Sequence, residues 1–177
     1  VGRLTDYHNK NNVPWGPPKE GARGFYFMTE QKKYIFVDLD NTLIIATPID
    51  GDDPYEAHVR PGAKDLLRQL RNIAPTFLLT AAPGDYARVF NTKFNLGFKD
   101  KDIYSKDDTL SGPSLFKPEG ICYIIDDLPE ENHKSQVKIN FLRNIGPVNY
   151  IQIKSYSGLV TQALTNSYIK RILDQIV

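Results

Sequence analysis

Several features that would place a chain in a familiar class are missing here. Cys122 is the single cysteine among 177 residues, so no intrachain disulfide can form, and a disulfide-stapled secreted scaffold is excluded. No apolar run approaches the roughly 20 residues of a membrane-spanning helix, and no secretory signal is visible. Lys and Arg number 22 against 21 Asp and Glu, a net charge of +1, so there is no global electrostatic footprint for nucleic acid or membrane. No G-x-G-x-x-G follows the first apolar strand and no P-loop is present, which disfavours a dinucleotide oxidoreductase and a P-loop kinase. The three histidines, His8, His58 and His133, show no metal-ligand spacing. Repeats and low-complexity segments are absent as well. What remains is an ordinary globular composition, 41% hydrophobic and 24% charged, on a length suited to one domain with a short appendage. The lone cysteine fits a reducing, intracellular setting, cytoplasm or nucleus. The start at Val1 is expected of a processed chain or of a fragment.

Residues 1–30 are expected to form an irregular arm. Pro14, Pro17 and Pro18 alternate there with Gly2, Gly16, Gly21 and Gly24, and Trp15, Phe25 and Phe27 are expected to pin the arm by packing. Residues 31–177 read as one domain. Tyr34–Val37, Thr76–Leu79, Ile121–Ile125 and Val148–Ile153 are short apolar runs rich in strand-forming residues, and a further short strand is expected near Ile103. Between them lie helical patterns: one opened by Arg60-Pro61-Gly62 with Ala63, Leu66, Leu67 and Leu70 on a face, and one opened by Pro83-Gly84 with Tyr86, Val89, Phe90 and Phe94. A third carries Val137, Phe141 and Leu142, and a last runs from Leu159 to Ile176. Residues 43–59 read as a turn-rich excursion or small hairpin. Strands alternating with helices predict an α/β fold, a Rossmann-like three-layer sandwich whose mostly parallel central sheet is covered on both faces.

In such sheets ligands bind beyond the carboxyl ends of the strands. The first strand ends in Asp38-Leu39-Asp40-Asn41-Thr42, the second in Thr80-Ala81-Ala82, and the third in Asp126-Asp127. Crowded carboxylates at strand ends are costly unless a cation neutralises them, and magnesium is held by few carboxylates because it keeps several waters. A hydroxyl beside backbone N–H groups at a helix start is a phosphate cradle. Each signal also has an ordinary explanation, as turn acids or a helix cap; their order along the chain is the specific feature. A lysine facing these acids would offset their charge, and Lys117 and Lys106 lie between the second and third of those strands.

This order resembles the haloacid dehalogenase superfamily of phosphatases, whose DxDxT pattern is matched by Asp38, Asp40 and Thr42. Val37–Leu43, Arg60-Pro61-Gly62, and Leu79–Ala82 followed by Asp85-Tyr86-Ala87 are similar to the phosphatases of the RNA polymerase II C-terminal domain and to NLI-interacting-factor-like proteins. Asp126–Glu130 also looks like the deoxyribonucleotidases of the superfamily. The resemblance implies that Asp38 is a covalent nucleophile and Asp40 the general acid and base. It implies magnesium on Asp38, Asp40 (through its carbonyl) and Asp126, and phosphate held by Thr80, Ala81 and a lysine. Lys117 is the preferred lysine and Lys106 the alternative. Thr42 would orient the loop around Asp40, and Asp127 would support the cluster or orient a metal-bound water. No insertion is long enough for a large cap domain, so the site is expected to be open. It would admit a macromolecular substrate, a phosphoprotein first, with a nucleotide or polynucleotide 3′-phosphate as the alternative. A catalytically silent binding module on the same fold is the competing class.

Overall fold

Alternation within one strand sets the architecture. Along Lys33–Val37, Ile35 and Val37 join one apolar cluster while Tyr34 and Phe36 join another, and all four are buried. A strand buried on both faces belongs in the interior of a parallel sheet. The computed structural model describes residues 30–50, 55–111 and 119–177. In it the elements run β1 (Lys33–Val37), β2 (Ile44–Pro48), β3 (Tyr55–Val59), α1 (Ala63–Ile73), β4 (Thr76–Leu79), α2 (Gly84–Lys93), β5 (Ile103–Tyr104), α3 (Lys106–Ser111), β6 (Ile121–Asp126), α4 (His133–Leu142), β7 (Val148–Gln152) and α5 (Asn166–Leu173). The expected arm lies outside the described residues.

The five-stranded sheet has the order β5-β4-β1-β6-β7, and every pairing in it is parallel. The α/β three-layer reading is therefore correct. One core holds Leu66, Leu67 and Leu70 of α1, Ala87 and Phe90 of α2, and Ile169 and Ile172 of α5. The other holds Ile139, Phe141 and Leu142 of α4. From β1 the chain builds outward to β4 and β5, then returns to β6 on the opposite side of β1. This reversal makes the carboxyl ends of β1 and β6 the crevice where ligands bind in open α/β sheets.

Between β1 and α1 the chain inserts an antiparallel hairpin, β2 with β3, registered from Ile44↔Val59 to Pro48↔Tyr55. It is far too small for a cap domain. Arg60 closes its root. The guanidinium is almost wholly buried; its Nε donates to Gln162 O at 2.8 Å and its Nη1 to Lys154 O at 2.8 Å and Thr42 O at 3.3 Å. One side chain thus ties the first strand-end loop to the C-terminal segment.

Three local expectations are corrected. Val89 is 60% exposed, because α2 buries only its Gly84, Ala87 and Phe90 face. The polar stretch after β5 contains α3, whose start is held by Asp108 Oδ2 accepting from Ser105 N at 2.7 Å and Oγ at 3.0 Å. The final pattern is broken into a 3-10 turn at Val160–Gln162 and the shorter α5. Leu164 is drawn down to donate its N–H to Pro61 O at 2.8 Å, against Gly62, where any Cβ would meet Leu164 O at 2.1 Å. Thr165 then caps α5 by accepting from Tyr168 N at 3.2 Å.

Candidate active site

The parallel register Val37↔Ile125 places Asp38, the residue after β1, beside Asp126 at the end of β6. The Asp38 N–H donates to Ile125 O at 2.9 Å, which continues the ladder one step past the strand. The chain then turns sharply. Asn41 adopts φ 59, a left-handed conformation that Asn tolerates better than most residues. Asp38 points to the buried centre, while Asp40 Oδ1 accepts from the Tyr86 hydroxyl of α2 at 2.5 Å.

At the centre stands a lysine that the motif reading did not contain. Lys138 of α4 is 2% exposed, and its Nζ donates to Asp38 Oδ1 at 2.6 Å and Asp126 Oδ2 at 2.7 Å. Burial alone would lower its pKa; the two carboxylates outweigh burial and hold it raised, so it stays an ammonium. Asp38 is pushed up to about 7 by burial, with Lys138 opposing and Asp126 adding to the rise. Burial also raises Asp40, against the Tyr86 hydrogen bond, and raises Asp127, against hydrogen bonds from Ser155 and Thr42.

Thr42, expected to orient the loop around Asp40, sets its hydroxyl between two acids. Its hydroxyl lies 3.2 Å from Asp38 Oδ2 and 3.3 Å from Asp127 Oδ1, and it accepts from Asp127 N at 3.1 Å. It therefore spans the ends of β1 and β6. The Thr80 hydroxyl accepts from Ala82 N at 3.1 Å, an ST turn that bends the chain over the site before α2. A cavity of about 180 Å³ is bounded by Asp38, Asp40, Thr80, Ala81, Asp127 and Lys138, among others. The expected site residues other than Asp126 and Lys117 thus meet there or, for Thr42, just beneath it. Asp126 lies behind them, fully buried.

Among the described residues, the carboxylates whose oxygens lie within 4.8 Å of one another are Asp38, Asp126 and Asp127. Asp127, expected to support the cluster, joins Asp38 and Asp126 in this group, while the Asp40 carboxylate is engaged by Tyr86. Three carboxylates against one ammonium leave a negative excess in a buried site. The donors are all hard oxygens, so the set fits a hard divalent cation.

The lysine reading also changes. Lys117 lies outside the described residues. Lys106 opens α3 and lines an adjoining cleft, not the carboxylate cavity. The signal that would have found Lys138 is its helical face: Ser135, Lys138 and Leu142 fall on the buried side of α4, and a lysine there, just after two acids, has to be paired.

The described residues thus place acids at the ends of β1 and β6, a threonine at the end of β4 and one buried lysine between the acids at one edge of a parallel sheet. Residues 33–118 match the model of the family described as NLI interacting factor-like phosphatase, which is the likeness that the motifs carried. The match covers Asp38 through Thr80 and stops before Asp126, Asp127 and Lys138. Two solved structures are similar to the chain. One is a variant of the fission yeast RNA polymerase II CTD phosphatase Fcp1 bound to beryllium fluoride, with 14% identity, a TM-score of 0.48, and coverage of 84% of this chain and 50% of that one. The other is Fcp1, described as an essential RNA polymerase II CTD phosphatase, with 15% identity, a TM-score of 0.47, and coverage of 84% and 49%. The present chain thus spans about half the length of each. No curated protein matches it.

Proposed function

We propose that the protein is a magnesium-dependent phosphomonoesterase that works through an aspartyl-phosphate on Asp38 and acts on a phosphoprotein. The observation that carries the reading is the pairing of the buried Asp38 carboxylate with Lys138 beside Asp126 and Asp127, at the mouth of a cavity that Thr80 and Asp40 also line. A carboxylate oxygen of Asp38 attacks phosphorus while the bond from phosphorus to the leaving oxygen breaks. Asp40, its pKa raised by burial, gives its proton to that oxygen. Asp40 then takes a proton from water, the water oxygen bonds to phosphorus, and the Asp38–phosphorus bond breaks to release phosphate. Lys138, Thr80 and the Ala81 backbone hold the non-bridging oxygens, which places Lys138 in the role first given to Lys117. Asp38, Asp126 and Asp127, with the Asp40 carbonyl that the resemblance implies, would hold magnesium. When bound, the ion neutralises charge on the phosphoryl oxygens. The small hairpin leaves the site open, which suits a macromolecule and supports a protein substrate inside the cell.

Phosphate release from a phosphopeptide should stop on chelation and return with magnesium. Asp126→Ala should remove the activity or raise the magnesium requirement at least about tenfold. Asp38, pushed up to about 7, would have to give up its proton to serve as a ligand. The apparent magnesium affinity should therefore weaken as pH falls below neutrality. Full activity with zinc alone would count against the oxygen site. A chain that binds phosphopeptide but releases no phosphate under any metal would be the silent binding module instead.

Tyr86 tests the role of Asp40. Its hydroxyl favours the Asp40 carboxylate, so its loss lets burial push Asp40 further up. Tyr86→Phe is expected to move the pH limb belonging to Asp40 toward higher pH and to lower turnover about tenfold, the scale of one hydrogen bond to a charged group. An unmoved pH profile would separate Tyr86 from the chemistry.

A further inference from the structure

We propose that a second cleft, beside the carboxylate cavity, is a substrate subsite for an anionic side chain flanking the phosphorylated residue of a protein. The inference rests on the phosphomonoesterase reading and narrows its substrates. The cleft, about 420 Å³, exceeds the carboxylate cavity and shares Thr80, Ala81, Lys134 and Lys138 with it. A substrate with its phosphoryl group between Thr80 and Lys138 therefore enters or leaves along this cleft. The remaining wall comes from two helices, with Lys106, Thr109 and Leu110 from α3 and His133 and Val137 from α4.

Charge selects the occupant. No carboxylate lines the cleft among the described residues. Lys106 and Lys134 are exposed, and neither takes part in an ion pair among those residues. The acids of α3 serve elsewhere: Asp108 holds Ser105, and Asp107 and Asp108 line a separate depression with Asp85 and Arg88. Lys106 and Lys134, the latter also acting on Asp40 across the carboxylate cavity, stand over an aliphatic wall where Leu110 is 72% exposed, and this fits a side chain with an apolar stem and an anionic end. Among the described residues no Phe, Tyr or Trp lines the cleft and His133 is its one ring, so it lacks the row of rings on which successive unpaired bases stack. This favours a peptide over a nucleic-acid end. The anion is a carboxylate or a second phosphoryl group, and substrates can separate these.

The experiment compares kcat/KM for phosphopeptides with a neutral flank, with an acidic residue walked along either flank, and with a second phosphoresidue in the same places. The parent chain should prefer an anionic flank by about three- to tenfold, the scale of one or two partly exposed ion pairs. Lys106→Glu should cut the ratio of anionic to neutral peptide by a similar factor. A glutamate at the first turn of α3 is compatible with the helix, so folding is not at risk. A ratio near one in the parent chain, or an equal loss on both peptides in Lys106→Glu, overturns the proposal. So does a Lys106-dependent preference for a 3′-phosphorylated oligonucleotide over the peptides. If no substrate is hydrolysed, the phosphomonoesterase reading fails separately. Fluorescence anisotropy with the same labelled peptides then decides the subsite: Lys106-dependent tighter binding of the anionic ones supports it, and equal binding overturns it.

Discussion

Asp38→Asn is expected to remove measurable phosphate release while the chain still folds. The change is nearly isosteric, and Lys138 keeps Asp126 as its partner at 2.7 Å. The local negative excess falls by one, so relief of repulsion between Asp38 and Asp126 offsets part of the lost ion pair. Thermal melting should therefore shift little. Turnover has no such compensation, because an amide does not attack phosphorus, and losing a nucleophile typically costs about 10⁴-fold or more. Two measurements check this. A phosphate-release assay compares the variant with the parent chain. A rapid quench of the parent reaction, followed by digestion, should recover the phosphoryl group on the peptide containing Asp38. Phosphate release in Asp38→Asn within about tenfold of the parent, or label on another residue, would end the covalent mechanism.

Lys138→Met should lower both stability and rate. The lysine is buried between Asp38 and Asp126 at 2.6 and 2.7 Å, so its removal leaves two like charges in a desolvated site. Breaking a buried pair from one side typically costs about 3–5 kcal/mol. In the proposed site magnesium would bind these same carboxylates, so it should raise the melting temperature more in the variant than in the parent chain. Turnover should fall about a hundred- to a thousandfold, the scale of one lost transition-state donor. Lys138→Arg separates the two roles. It keeps the positive charge and should recover part of the stability, but its planar fork does not reproduce the ammonium geometry, so the rate should stay low. A Lys138→Met chain that melts and turns over like the parent would remove Lys138 from the site and return attention to Lys117.

Much of this was legible without coordinates. Four of the five sheet strands are short apolar runs, three of them ending in chemistry-bearing residues, and the fifth was anticipated near Ile103. Their alternation with helices requires a parallel sheet, because parallel strands need crossovers. The strand-end rule then points to Asp38, Asp40, Thr80, Asp126 and Asp127 before any distance is known. The family match over residues 33–118 follows the same motifs. The short span between Thr42 and Arg60 excluded a cap domain, and a small hairpin fills it.

What the sequence by itself determined, then, was the inventory of strand-end groups and the sheet that gathers them, since both follow from local periodicity and crossover geometry. Tertiary structure decided which groups touch. Tyr86 of α2 engages the Asp40 carboxylate, and the β1–β6 register sets Asp38 against Asp126. Thr42 joins the two strand ends, and Asp127 comes together with Asp38 and Asp126 in one carboxylate group. Lys138, 100 residues from Asp38 in the chain, reaches it because α4 packs its Lys138 face beneath the sheet end. The final helix was shortened for the same kind of reason, as Leu164 was drawn against Gly62. These are long-range contacts. Propensity and spacing act over a few residues, whereas charge pairing and close packing are decided only when distant segments share one buried volume.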